Sequence, residues 1–463
     1  MAYLLGDEFD DFRSSLYQPP TTGIRVNTLK ISPQEFAQIS PYKLSPCPWC
    51  STGFTVVDNN IYPGSISPGK HPYHIAGLFY LQESSAMAVG EILSPQPGEK
   101  ILDLAAAPGG KATHLAALMK NTGVLIANEI HPKRVWDLAE NLERCGVTNA
   151  IITNETPQHL AEHFVEYFDH VLLDAPCSGE GMFRKSMVAR AEWNPGAPLR
   201  CASRQIGILE NAARMLKPGG CMVYTTCTFS PEENEGVVGS FLDHHPDFDL
   251  KIIEEKPGLF PSKPEWINLP KDHKVNRSVR IWPHLSQGEG HYISVLVKNG
   301  SVVNEPQKDR NKEKSLYRTI KPKEMLTGKK FLDEFLDENL EITFNNKRLL
   351  LNGAYVYFLP DKSPEMHGLK VIHPGWWIGS FQKNRFSPSH ALAMGINIHQ
   401  AKNLCSLSKG DKEVTAYLGG ESFSNQGDEG WVLITVDDFP IGWGKRVKNV
   451  VKNYYPHGLR RRS

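Results

Sequence analysis

Between Ile75 and Val297 short apolar runs alternate with longer segments of helical period, and no other feature limits the fold so tightly. Lys100–Leu104, Gly123–Asn128, Ala150–Thr153, His170–Asp174 and Cys221–Thr225 read as strands. Ala112–Met119, Pro132–Cys145 (opened by its proline), Ser203–Leu216 and Pro231–His244 read as helices. Short strands apolar along their length must be covered on both faces, so the pattern predicts a mostly parallel sheet wound with helices. The flanks have another texture. The first 75 residues are rich in Pro, Gly and Ser, with Gly23–Ser32 reading as a strand with a basic edge. Lys298 to about Leu326 is polar and charged without apolar period, which reads as a linker. Beyond it Lys347–Leu351, Ala354–Leu359 and Trp431–Val436 read as short strands of a small mixed domain. The expected division is 1–75, 76–298, 299–328 and 329–463.

Composition narrows the classes. No apolar run approaches the roughly 20 residues that span a bilayer. The start, MAYLLGDEFDDF, turns acidic without a basic lead or cleavage site, so a cytoplasmic protein is expected. Eight cysteines in 463 residues are not a disulfide framework. Cys47-Pro48-Trp49-Cys50 offers two of the four ligands that zinc takes, and no second pair follows, so no metal is expected. Lys plus Arg equals Asp plus Glu at 51 each, so any nucleic-acid role must rest on local clusters. Candidates are Arg25, Lys30, Arg184, Lys185 and the C-terminal stretch from Ile441. That stretch carries Lys445, Arg446, Lys448, Lys452, Arg460, Arg461 and Arg462 with no acid, and Tyr454 and Tyr455 among them. Such a mixture suits phosphate contact with base stacking.

The first chemical signal is LDLAAAPGGKATHL, Leu102–Leu115. A strand ends at Asp103, passes through Ala105, Ala106, Ala107, Pro108, Gly109, Gly110 and Lys111, and enters a helix. Small residues let backbone approach a ligand, and the helix start offers free N–H groups. Glu129 ends the next strand, at the spacing where an acid accepts ribose hydroxyls. Together they indicate a nucleoside-containing cofactor. The spacing and the missing hydroxyl after Lys111 disfavour a phosphate loop, hence ATP or GTP hydrolysis.

Two further strands each deliver a cysteine to the same edge. LLDAPCSGEGMFRK brings Asp174 and Cys177; VYTTCTFSPEENEGVV brings Thr226 and Cys227 before a helix expected to be capped by Ser230 with Glu233. Beside a methyl donor, a thiolate that adds to carbon 6 of cytosine makes carbon 5 nucleophilic, and it can leave afterwards. A carboxyl such as Asp174 could hydrogen-bond the ring nitrogen. The residues alone leave open which cysteine attacks. An amino-group acceptor, which needs no cysteine pair, and a non-catalytic RNA-binding assembly factor are the rival readings.

These motifs, with RVNTLK (Arg25–Lys30), LQESSAM (Leu81–Met87), ANE (Ala127–Glu129), RIWPH (Arg280–His284) and GEGH (Gly288–His291), resemble the Sun-type RNA cytosine-5 methyltransferases, most closely the bacterial ribosomal RNA small subunit methyltransferase F family. The resemblance implies an α/β fold: a Rossmann-like S-adenosylmethionine-dependent methyltransferase domain, a small N-terminal α/β domain and a C-terminal PUA-like RNA-binding module. It implies S-adenosylmethionine held by Ala105–Lys111 and Glu129, with Arg134 nearby, and Asp174 against cofactor or base. It makes Cys227 the nucleophile, has Cys177 assist product release, and points Lys111 at the active site. It implies 16S ribosomal RNA or the small subunit as partner, with no membrane and no metal; a monomer is expected. Transfer RNA is the alternative substrate. Many relatives carry an Asp after the third strand; here the run is Asn154-Glu155-Thr156, with Thr156 aligned. Gly375–Met394 resembles the family's C-terminal region, with Trp376 and Trp377 read as core.

Overall fold

The computed structural model describes residues 1–57, 66–300, 322–383 and 385–460, without the side chains of 322–327. The chain begins with an antiparallel sheet of β1 (Gly23–Val26), β2 (Leu44–Cys47), β3 (Cys50–Val56) and β4 (Phe79–Leu81), in the order β2-β3-β1-β4. The strand expected to reach Ser32 stops at Val26. Asn27 turns the chain there, accepting Lys30 N at its carbonyl and donating its side-chain amide to Gly77 O and Cys145 O. Because β4 completes this sheet, the N-terminal unit runs past the expected boundary at 75.

The central sheet follows the alternation. β5 (Lys100–Asp103), β6 (Val124–Asn128), β7 (Ala150–Thr153), β8 (Phe168–Asp174) and β9 (Leu216–Thr226) are parallel. β10 (Phe248–Leu250), β11 (Phe260–Pro261), β12 (Val279–Ile281) and β13 (His291–Lys298) extend it antiparallel, in the order β11-β12-β13-β9-β8-β5-β6-β7 with β10 on β13. Successive strand residues point to opposite faces. Ile101, Leu125, Leu172 and Val223 therefore enter one core, and Leu102, Ile126, Leu173 and Tyr224 the other. Strands β6 and β7 lie on one side of β5, and β8 and β9 on the other. The crevice where strand order reverses opens at the carboxyl ends of β5 and β8, the usual ligand position in such sheets.

The helix expected at Ser203–Leu216 starts earlier and spans Ala197–Met215, and two others start later than expected. Pro132 lies outside its helix, which spans Arg134–Arg144. The helix expected from Pro231 spans Glu235–His244 and has no side-chain cap. Ser230 Oγ instead donates to Glu232, and Glu233 turns into the Pro-Cys loop. The buried pair Arg280–Glu235 competes for the helix start, with Arg280 Nη1 also on Phe229 O.

In the C-terminal region, β14 (Leu349–Asn352), β15 (Tyr355–Phe358), β16 (Val371–His373), β17 (Trp376–Gln382) and β18 (Arg385–Pro388) follow a helix, Pro322–Asn339. That helix begins inside the stretch expected to be linker; residues 301–321 of that expectation lie outside the described residues. Four of these strands form an antiparallel sheet, β14-β15-β17-β18. β16 leaves it and pairs antiparallel with β7, covering the open edge of the central sheet. β19 (Leu404–Leu407), β20 (Phe423–Ser424), β21 (Gly430–Val436), β22 (Phe439–Val447) and β23 (Val450–Asn453) form the last sheet, β19-β21-β22-β23-β20. Its apolar face shares one core with the N-terminal sheet: Ile24, Phe36 and Phe79 pack with Tyr417, Val432 and Ile434. Among the described residues no helix is long and apolar enough to cross a membrane.

Candidate active site

The cofactor loop leaves β5 at Asp103, which is buried; desolvation first, then Asp174, pushes its carboxyl up to about 7. Ala106 N donates to Asn128 O and Gly109 N to Ala106 O, which ties the loop to β6 and closes a tight turn. Gly109 stands at φ 110°, where an L side chain is strained. The helix Gly110–Leu118 that follows has no side-chain cap, so its first N–H groups are available to a ligand. Glu129, just past β6, is 3 % exposed. One of its oxygens accepts His131 N at 2.8 Å, and the other is 3.7 Å from Arg134 Nη1. Arg134 donates Nη2 to Ala107 O at 2.6 Å, so it braces the loop. An uncapped helix start beside a buried carboxylate at the neighbouring strand end fits a nucleoside cofactor.

Lys111, Asp174, Cys177 and Cys227 meet at the crevice. Lys111 Nζ donates to Asp174 Oδ2 at 2.7 Å. Burial opposes the lysine's charge, but Asp174, with Cys227 and Asp103, more than offsets it, so the ammonium lies above its usual value. The thiols of Cys177 and Cys227 are 3.4 Å apart, both free. Their hydrogen bond, with burial, raises the Cys177 thiol well above its ordinary value. His291 is driven down to about 4 by burial and by Lys111, so it stands neutral nearby.

The family comparisons divide along the same lines. The family model for 16S rRNA methyltransferase RsmB/F matches residues 90–297, and that for the N-terminal domain of 16S rRNA methyltransferase RsmF matches 1–84. The RsmF rRNA methyltransferase first C-terminal domain matches 330–396, and the methyltransferase RsmF PUA domain 406–461. The ribosomal RNA small subunit methyltransferase F of Vibrio vulnificus is 34% identical over 97% of this chain and 93% of that protein. The chain belongs to the ribosomal RNA small subunit methyltransferase F family. Its counterpart in Aeromonas hydrophila is 33% identical over the same shares. Among solved structures, a methyltransferase homolog from Pyrococcus horikoshii is 33% identical, with a TM-score of 0.55 over 63% of this chain and 91% of that one. NSun6 from Pyrococcus horikoshii, solved with SFG, is 23% identical with a TM-score of 0.55 over 65% of this chain and 97% of that one, and it supports the fold alone. The protein is thus an S-adenosylmethionine-dependent ribosomal RNA methyltransferase with a Rossmann-like domain, an N-terminal domain and a PUA domain. Gly375–Met394 falls in the first C-terminal domain rather than the PUA match, with Trp376 buried and its indole donating to Ala391 O.

In this methyltransferase several cations expected on the RNA surface are interior. Arg25 is 2 % exposed and donates to Gln82, Gly110 O and Thr113, from beneath the cofactor loop. Burial lowers its pKa to about 10. The Lys30 ammonium is buried without a hydrogen-bond partner among the described residues, and burial lowers it to about 7. Arg184 pairs with buried Glu289 and donates to Pro19 O. Arg446 is buried against Asp428 O, Leu404 O and Asn425. Tyr455 is in the core, and Arg460 folds back onto its carbonyl. Lys185, Lys448, Lys452 and Tyr454 are exposed; Arg461 and Arg462 lie outside the described residues. Thr156 caps the next helix through His159 N, and Glu155 accepts Lys370 N, so both carry structural bonds.

Sequence reasoning missed the groups that fix the cysteines. Glu233 accepts Ser178 N and Gln205 Nε2, and Gln205 also donates to Pro176 O. Glu180 accepts Phe229 N at 3.0 Å. Each cysteine loop thus places a carboxylate on the other loop's backbone. Both acids stand within the quoted motifs, but only the fold reveals their partners. The LQESSAM and GEGH motifs meet likewise: Glu83 accepts Ser85 N and Glu289 N, and Ser85 Oγ bonds His291 Nδ1.

Proposed function

We propose that this methyltransferase methylates carbon 5 of a cytosine in 16S ribosomal RNA through an adduct of Cys227 with carbon 6. The observation that carries the reading is the pair of thiols 3.4 Å apart beside the Lys111–Asp174 pair. S-adenosylmethionine supplies an electrophilic methyl group when bound. Ala105–Lys111 and Glu129 would hold it, with Arg134 steadying the loop and Asp174 at its edge. The Cys227 thiolate forms the S–C6 bond, and the ring's electron pair moves to carbon 5. Asp174, oriented by Lys111, accepts from or donates to the base edge and so favours the addition. After carbon 5 takes the methyl, it loses its proton to a base, the electron pair reforms the double bond and the Cys227 thiolate leaves. Cys177, whose thiol lies 3.4 Å from that of Cys227, assists this release, as the resemblance implies.

The target base must leave its stack to reach the crevice. The flanking N-terminal, first C-terminal and PUA units would position the RNA, with Lys185, Lys448 and Lys452 as phosphate contacts. An enzyme that acts on 16S RNA would work in the cytoplasm. The test is incubation with methyl-labelled S-adenosylmethionine and unmodified small subunits, free 16S RNA or transfer RNA, followed by nucleoside mapping. Label in 5-methylcytosine of a ribosomal substrate, lost in Cys227→Ala, is expected. A Cys227→Ala enzyme that retains its rate would overturn the mechanism, and label confined to transfer RNA the substrate. Cys177→Ala should trap an RNA–protein adduct visible on a denaturing gel.

A further inference from the structure

Methyl transfer leaves the Cys47-Pro48-Trp49-Cys50 motif unused. Two more metal-binding side chains meet it in the fold. Cys50 Sγ, Glu91 Oε1 and His114 Nε2 lie within 4.8 Å of one another. Cys50 Sγ is 3.5 Å from Glu91 Oε1, and His114 Nε2 is 3.3 Å from the same oxygen. Zinc bonds of about 2.3 Å to sulfur and about 2.0 Å to nitrogen or oxygen, set tetrahedrally, place those pairs about 3.5 Å and about 3.3 Å apart. Two of the three donor pairs therefore already stand at the spacing of a zinc tetrahedron, and the third, Cys50 Sγ to His114 Nε2, lies within 4.8 Å.

Hydrogen bonding alone serves His114 poorly. The ring is buried, and its one hydrogen-bond contact among the described residues, from Nε2 at 3.3 Å, is long for N–H···O. Gly90 makes room for it: a Cβ there would stand 2.3 Å from Nδ1. Cys47 faces Cys50 across the β2–β3 hairpin, and its thiol has a weak contact with Ser84 O at 4.0 Å. An ideal Cβ on Gly53 would lie 3.1 Å from the Cβ of each cysteine and 2.7 Å from Met87 Sδ, so both cysteines emerge on one side of Gly53, with Met87 packed over it. Two thiolates, a carboxylate and a neutral imidazole around Zn²⁺ leave one negative charge, with the Arg25 guanidinium near Cys50 and His114. A cavity of about 350 Å³ lined by Trp49, Glu91 and Lys256 opens onto Glu91 and gives an ion a way in.

We propose that Cys47, Cys50, Glu91 and His114 form a structural zinc site. It clamps the β2–β3 hairpin to the helices Ser84–Leu93 and Gly110–Leu118, and so to the cofactor loop. Cys47, opposite Cys50 in the hairpin, would supply the fourth ligand.

The test uses the full chain, purified without a polyhistidine tag or chelator, and metal analysis by mass spectrometry. About one zinc per chain is expected, falling at least about tenfold in Cys50→Ser and His114→Gln. Titration of Co²⁺ into the metal-stripped wild type provides a readout that needs no variant. A thiolate-to-cobalt charge-transfer band is expected, and roughly half of it should be lost in Cys47→Ser if two thiolates bind. A wild type that retains no zinc and gives no such band overturns the proposal, as does a Cys47–Cys50 disulfide found by mass in the protein as isolated. Neither measurement depends on methylation.

Discussion

Arg25 illustrates how residue type and residue role part company. In sequence it is a cation on a strand edge, beside Lys30. In the fold it is buried, with its guanidinium donating to Gly110 O, Thr113 and Gln82. Arg25→Ala should cost about 3 kcal/mol in stability, because it leaves buried acceptors unpaired. It should also weaken S-adenosylmethionine binding. The slope of RNA affinity against salt should not change, whereas loss of a phosphate contact would lower it by about one. Denaturant melts, calorimetry of cofactor binding and a salt titration separate the two roles; a reduced slope with normal stability would return Arg25 to the RNA surface.

At the scale of elements, the decisive unit is the pair of cysteine loops after β8 and β9. They are held by reciprocal carboxylate contacts, Glu233 to the Pro-Cys loop and Glu180 to the Thr-Cys loop. Glu233 is buried, and desolvation raises its carboxyl above the usual range. Glu233→Ala frees the Pro-Cys loop and leaves Ser178 N without that acceptor. Since a misplacement of about 1 Å can lower a rate about 100-fold, the single-turnover methylation rate should fall by about that factor. Cofactor affinity should stay within about twofold, because the Glu233 carboxylate bonds Ser178 and Gln205 on the cysteine side of the crevice. A rate loss matched by an equal loss of cofactor affinity would show instead that the whole crevice had shifted.

The whole molecule is more tightly joined than the order of its segments suggests. β16 seals the edge of the catalytic sheet, with Lys370 bonded to Asn154 and Glu155. The N-terminal sheet and the last sheet share a core. Ile434 sits in that core with no exposure, so Ile434→Ala should cost about 2–5 kcal/mol. Because the core is shared, a probe at Trp49 and a probe at Trp431 should report the same lowered midpoint. If only the C-terminal probe shifted, the two sheets would be unfolding independently.

Local chemistry was sufficient for much of this. Period and strand length specified the central sheet: β7 lies at Ala150–Thr153 as expected, and the crevice residues Lys111, Asp174, Cys177 and Cys227 converge because each follows a strand end. Strand ends in a parallel sheet share one edge, so spacing in sequence becomes proximity in space. What the sequence could not supply is every pairing made across a long separation. Whether a cation faces solvent or another carbonyl, whether Glu233 caps its own helix or holds another loop, and where β16 pairs depend on which surfaces the folded chain brings together. Cys50 looked short of ligands for the same reason, since Glu91 and His114 reach it from separate helices. Such partners are chosen by burial, where an unpaired polar group is costly, and burial is a property of the tertiary structure.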